Sequence, residues 1–88
     1  MMEFKKSTRK GKKYMVMYNN KWIHFGDISY EQFEDSTPLK LYKNQNHYDP
    51  ERKKLYLKRA MGIKDKHGNL TYLNKESPNY YSVRFLWT

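Results

Sequence analysis

The chain contains no cysteine, which excludes disulfides, thiol catalysis, iron–sulfur clusters and zinc-finger patterns. It has no run of 18 or more apolar residues, so no transmembrane helix is expected. The N-terminus passes straight into Lys5, Lys6, Arg9, Lys10, Lys12 and Lys13 with no apolar stretch, so no secretory signal is expected either. Glycine is scarce and scattered at positions 11, 26, 62 and 68, which leaves no glycine-rich loop to cradle a phosphate. The serines (Ser7, Ser29, Ser36, Ser77 and Ser82) stand in no nucleophile-elbow context. Apolar side chains are few as well. Leu, Ile, Val and Phe number 16 of 88, below the roughly 20% at which a highly charged chain is suspect for disorder.

Aromatic residues reverse that last indication. Nine Tyr and two Trp can each remove a large apolar area from water when buried, so a small domain with an aromatic core is expected. At 88 residues there is room for one such domain. No disulfide or cysteine-bound metal can reinforce it, so its stability should be modest.

Positive charge dominates, with 18 Lys and Arg against 9 Asp and Glu and a formal charge of +9. It is unevenly placed. Residues 1–19 carry +5, residues 20–48 carry −1, residues 49–59 carry +3 and the remainder +2. Two basic blocks flanking a near-neutral middle make a field that attracts polyanions, of which nucleic acid is the commonest in a cell. A Lys-rich surface also serves solubility alone.

Residues 1–13 lack periodicity and read as a flexible basic arm, with a single domain over 14–88. Tyr14 to Tyr18 and Lys21 to Phe25 are β-prone runs joined by Asn19-Asn20, a pair suited to a two-residue hairpin turn. That turn sets Tyr14, Val16, Ile23 and Phe25 on one face and Met15, Met17, Trp22 and His24 on the other. Both faces are substantially apolar, so the second needs a helix or a partner to cover it. Ser29 with Gln32 has the form of a capping box and predicts a short helix to Asp35. Thr37-Pro38 predicts one or two further helical turns. Asp49-Pro50, with Glu51 in the first turn and Gly62 beyond the end, marks a clear helix. Lys66-His67-Gly68-Asn69 marks a turn between short strands, and Ser77-Pro78 opens a C-terminal helix. The expected fold is α+β: an N-terminal β-hairpin packed against two or three short helices, with the basic arm.

Catalytic constellations are missing, and no enzyme, cofactor or small-molecule substrate is expected. His24 in the hairpin and His67 at a turn tip have ordinary structural roles. His47 and Asp49, just before the basic helix, could hold a divalent metal beside a phosphate, as in nucleases built on a ββα unit. The further His or Asn ligands such sites need are absent, because Arg52, Lys53 and Tyr56 occupy the next positions. Phosphate contact is better supported. Arg52, Lys54, Lys58 and Arg59 form the positioning set, and Lys5, Lys6, Arg9, Lys10, Lys12 and Lys13 a non-specific arm. Sequence-specific readout is not expected, for want of any recognised DNA- or RNA-binding signature.

Several blocks together resemble a known family. They are Lys21-Trp22-Ile23-His24-Phe25-Gly26, Tyr30-Glu31-Gln32-Phe33 with Thr37-Pro38-Leu39, His47 and Asp49 with Arg52, Tyr56 and Arg59, then Ser77-Pro78-Asn79-Tyr80 and Leu86-Trp87. In this order, over residues 6 to 88, they resemble small basic proteins of unassigned function encoded by large DNA viruses and tailed bacteriophages. Asn46 and Tyr48 depart from the more His- and Asp-rich versions of that family. The resemblance implies a place in a virion or an infected cell, neither secreted nor membrane-bound, and transfers no catalytic or binding residue. Two functions follow as expectations. The first is binding of nucleic acid through phosphate. The second is a minor virion protein that cements capsid or tail subunits through Met15, Met17, Trp22 and His24. The first requires Arg52, Lys54, Lys58 and Arg59 on one exposed surface continuous with the arm. The second requires an exposed apolar patch on the hairpin.

Overall fold

A computed structural model describes residues 2–88. Met1, the first residue of the expected arm, lies outside the described residues. The chain forms β1 (Phe4–Lys6), β2 (Lys12–Tyr18), β3 (Lys21–Asp27), α1 (Pro50–Ala60) and α2 (Pro78–Leu86). Single 3₁₀ turns lie at Lys43–Gln45 and Thr71–Leu73. The strands make one antiparallel sheet in the order β1-β2-β3. This is a small α+β domain, an N-terminal sheet packed against two short helices.

The hairpin has the expected register, with Tyr14 opposite Phe25, Val16 opposite Ile23 and Met17 opposite Trp22. Asn19 and Asn20 both adopt positive φ, 53° and 62°, as a primed two-residue turn demands. The Tyr14, Val16, Ile23, Phe25 face is buried and forms the core with Tyr81 and Leu86 of α2. Ring contacts run through this packing: Phe25 lies 5.7 Å from Tyr81 and Tyr14 lies 5.3 Å from Tyr42. Aromatic area thus replaces the missing aliphatic residues.

The basic arm is where expectation and structure part. Residues 4–6 are a strand paired with Tyr14–Val16, and Lys12 and Lys13 belong to β2. The cause is Phe4, whose ring sits 4.8 Å from Phe85 and 6.3 Å from Phe25. One apolar side chain at the start of a cationic segment anchors it to the core. The segment that follows then roofs the outer face of the hairpin. Ser7 shares a 2.7 Å hydrogen bond with His24 Nδ1, Thr8 approaches the Met15 sulfur, and the Lys5 ammonium sits 5.4 Å from the Trp22 ring centroid. The second apolar face is covered by the chain's own arm.

The helix predicted over 30–35 and the turns after Thr37-Pro38 do not form; residues 28–48 are irregular apart from the 3₁₀ turn and a parallel bridge between Gln32 and Asn46. Ser29 does not cap a helix, because its amide donates to the Asp27 carboxylate in an Asx turn. Both C-terminal signals hold. Asp49 accepts from the Glu51 and Arg52 amides at the start of α1, and Ser77 accepts from Asn79 at the start of α2. The strands expected around Lys66–Asn69 shrink to a single bridge between Lys64 and Leu70.

Leu86 of α2 packs onto β3 at Gly26, where φ is +80° and a Cβ would stand 2.9 Å from Leu86 Cδ1. Gly68 has the same sign of φ, +83°, in open space. Gly26→Ala should therefore cost about 2–4 kcal/mol in chemical denaturation, and Gly68→Ala only about 1. Equal costs would show that backbone strain alone matters at Gly26.

Candidate nucleic-acid interface

The irregular segment 28–48 is held by side chains buried beneath it. Asp35 is 1% exposed and accepts from the Tyr14 hydroxyl, the Thr37 hydroxyl and the amides of Thr37 and Tyr42. The Tyr14 oxygen in turn accepts from the Leu41 amide at 2.8 Å. Beside this lies a second set. Lys13 Nζ donates to the Tyr30 carbonyl at 2.7 Å and to the Gln32 side chain. Gln32 donates to the Tyr42 carbonyl and to Asn46 Oδ1, which also accepts from the Asp35 amide. Each side chain of these two sets has partners, as a buried network requires, whereas Gln45 Oε1 and His47 Nε2 nearby are buried without one. Burial lowers the Lys13 amine to about 8 despite the opposing charges of Asp35, Asp27 and Glu31, and raises the Tyr14 hydroxyl to about 12 with the Asp35 hydrogen bond adding to it.

This network fixes the wall of a cleft of about 610 Å³ between α1 and the sheet. Lys12, Arg52 and Arg59 line it together with Asp27, Glu31, Tyr30, Leu55 and Trp87. Arg52 forms a 2.8 Å ion pair with Glu31, and that hydrogen bond holds the Glu31 carboxyl below its ordinary range. Tyr56 and Trp87 stack at 4.1 Å and 8°, fastening α1 to the end of α2. The C-terminal end of α1 is tied by Asn79, which donates to the Ala60 carbonyl at 2.7 Å.

The four helix cations divide between two sides of α1: Arg52 and Arg59 line the cleft, and Lys54 and Lys58 do not. All four are exposed. Lys12, from the end of the arm, faces the same cleft as Arg52 and Arg59, so the charge of these two and that of the arm join there. Lys5, Lys6, Arg9 and Lys10 are exposed on β1 and the loop after it. Lys13 is a correction. It is 1% exposed, and its ammonium binds protein acceptors rather than facing solvent. Both lysines line the cleft, but only Lys13 reaches the acceptors buried beneath residues 30–32.

The apolar hairpin set does not form one open patch. Met15 is buried at 8% exposure, and Met17, Trp22 and His24 are half-covered by the arm and its loop. Burial lowers His24 below its ordinary value, with Arg9 and Lys12 adding to the effect. The His47–Asp49 pair is engaged in structure. Asp49 caps α1, and its amide donates to His47 Nδ1 at 2.9 Å. Among the described residues no three His, Asp or Glu are grouped as a metal centre needs. No described helix is long and apolar enough to cross a membrane. Sequence reasoning missed Tyr30 and Leu55, which line the cleft at 68% and 59% exposure. Leu55 had a readable signal, as the apolar residue among cations on the outward arc of α1.

Residues 2–60, about two thirds of the chain, match the family described as "Family of unknown function (DUF5754)". The chain belongs to this family. The matched region contains the sheet, the buried network and all of α1, while α2 lies beyond it. No curated protein and no solved structure matches the chain.

The buried Lys13 gives the network a pH signature. Its amine is lowered to about 8 in the fold against an ordinary 10.5, so between those values the unfolded chain holds more protons. Stability contributed by this group therefore rises with pH across that window, whereas below about pH 8 the cost of burying the charge is present in full. In urea unfolding, wild type should gain on Lys13→Met between pH 7.5 and 9.5. A difference that stays constant with pH would contradict the buried titration.

Proposed function

We propose that this protein is a non-enzymatic, virus- or phage-encoded binder of nucleic acid that works mainly through phosphate. The observation that carries the reading is α1, on which Lys54, Lys58 and Arg59 stand exposed, with Lys12 sharing the cleft with Arg59. Among the described residues none of these four is within an ion pair. Cations left unpaired along one helix can replace the counterions condensed on a polyanion, with a gain from counterion release. Arg59 adds two-pronged geometry toward a phosphate, and the lysines act as point charges. The viral setting rests on the resemblance of the sequence blocks to small basic proteins of such genomes. The cementing role has less support, since the hairpin face it needs is roofed by the arm.

Removing the arm is a poor test, because it takes away β1 and Lys13 with the charge. Neutralising Lys54, Lys58 and Arg59 to Gln leaves the fold intact, as all three are exposed. Binding of the triple variant to a fluorescent oligonucleotide should weaken at every salt concentration. The slope of log K against log salt should become shallower by roughly 0.7–0.9 per lost phosphate contact. An unchanged slope would remove α1 from the interface.

A further inference from the structure

An exposed tyrosine and an exposed leucine beside a cationic cleft call for an explanation that phosphate binding alone does not provide. Tyr30 is 68% exposed and Leu55 is 59% exposed, and both line the 610 Å³ cleft with Lys12 and Arg59. Neither is needed for the core, which is built from the sheet and α2. The two apolar groups come from different elements: Leu55 from α1, Tyr30 from the irregular segment. Tyr30 is not on a loose loop. Its amide donates to the Asp27 carbonyl, and its own carbonyl accepts from the buried Lys13. The backbone that presents the ring is thus fixed from inside the protein.

Two carboxylates also face the cleft, and both have partners. Glu31 pairs with Arg52, and Asp27 accepts from the Ser29 amide. With Lys13 turned inward, Lys12 and Arg59 remain as the cations free to meet an anion at the rim. The volume falls within the roughly 300–1,000 Å³ of sites for small flat ligands. An apolar surface with two free cations beside it matches one nucleotide unit, a flat ring joined to a charged phosphate. A duplex presents the phosphates but keeps its bases stacked inside, out of reach of such a cleft.

We infer that the cleft seats an unpaired base of a single-stranded nucleic acid against Tyr30 and Leu55, with the flanking phosphates on Lys12 and Arg59. This rests on the phosphate-binding reading and specifies which form of nucleic acid is preferred. Base stacking on an aromatic side chain tolerates any sequence, in keeping with the lack of a base-reading motif. Trp87 lines the same cleft and reports on its occupancy.

The test titrates Trp22→Phe protein, in which Trp87 is the remaining tryptophan, with oligo-dT, oligo-U and a DNA duplex of equal length. Both single strands should bind more tightly than the duplex and change the Trp87 fluorescence. Tyr30→Ala should weaken single-strand binding roughly five- to a hundredfold and leave duplex binding unchanged, while Tyr30→Phe retains it. Equal affinity for single strand and duplex, with Tyr30→Ala silent and the α1 variant impaired, would overturn the cleft inference and leave phosphate binding standing. No binding of any of the three probes would overturn both.

Discussion

The structure depends on the burial of two opposite charges, Lys13 and Asp35, under a segment with almost no regular secondary structure. An unpaired charge in such a place would cost several kcal/mol, so each must be surrounded by acceptors or donors. Asp35 is met by two hydroxyls and two amides, and Lys13 by a carbonyl and the Gln32 side chain. Irregular backbone cannot satisfy its own amides as a helix or strand does. Much of residues 28–48 bonds to backbone carbonyls, including those of Phe85 and Leu86. For Asp35, Thr37, Lys40, Leu41 and Tyr42 the requirement is met by side chains rooted in β2 and in the segment itself. The network is thus a substitute for secondary structure as well as an accommodation of charge.

Function, on this account, follows from what the network holds in place. Tyr30 is presented by the carbonyl that Lys13 grips, and Glu31, next in the chain, sets Arg52 on the cleft. Across the cleft, α1 is capped by Asp49, itself steadied by His47, and its far end is joined to α2 through Asn79 and the Tyr56–Trp87 stack. The cations on α1 therefore sit on a rigid element, while the apolar wall sits on a loop made rigid from beneath. A cationic surface so arranged has a fixed shape that a polyanion can recognise, which a mobile basic tail does not.

Elements with local signals were legible from the sequence. The Asn19-Asn20 turn dictated the hairpin and its register, and the Asp49-Pro50 and Ser77-Pro78 pairs marked the two helices. Elements fixed by long-range contacts were not. Ser29 and Gln32 matched a helix-capping pattern, yet Gln32 serves a lysine 19 residues away and the helix never forms. Phe4 looked like a stray aromatic in a basic tail until Phe85, from the other end of the chain, completed its pocket. The site was legible by half. The exposed cations of α1 follow from helical geometry, but the inward turn of Lys13 needed the acceptors of Tyr30 and Gln32, and Tyr30 needed the network.

Amide hydrogen exchange tests the central claim most directly. The amides of Asp35, Thr37, Leu41 and Tyr42 donate to side-chain oxygens of the network rather than to any backbone carbonyl. If that network orders the segment, these four should be protected at least roughly a hundredfold, and Tyr14→Phe should expose them together while the β2–β3 amides stay slow. Exchange of the four at free-peptide rates in the wild-type protein would show a loose loop over a finished core, and would contradict the account.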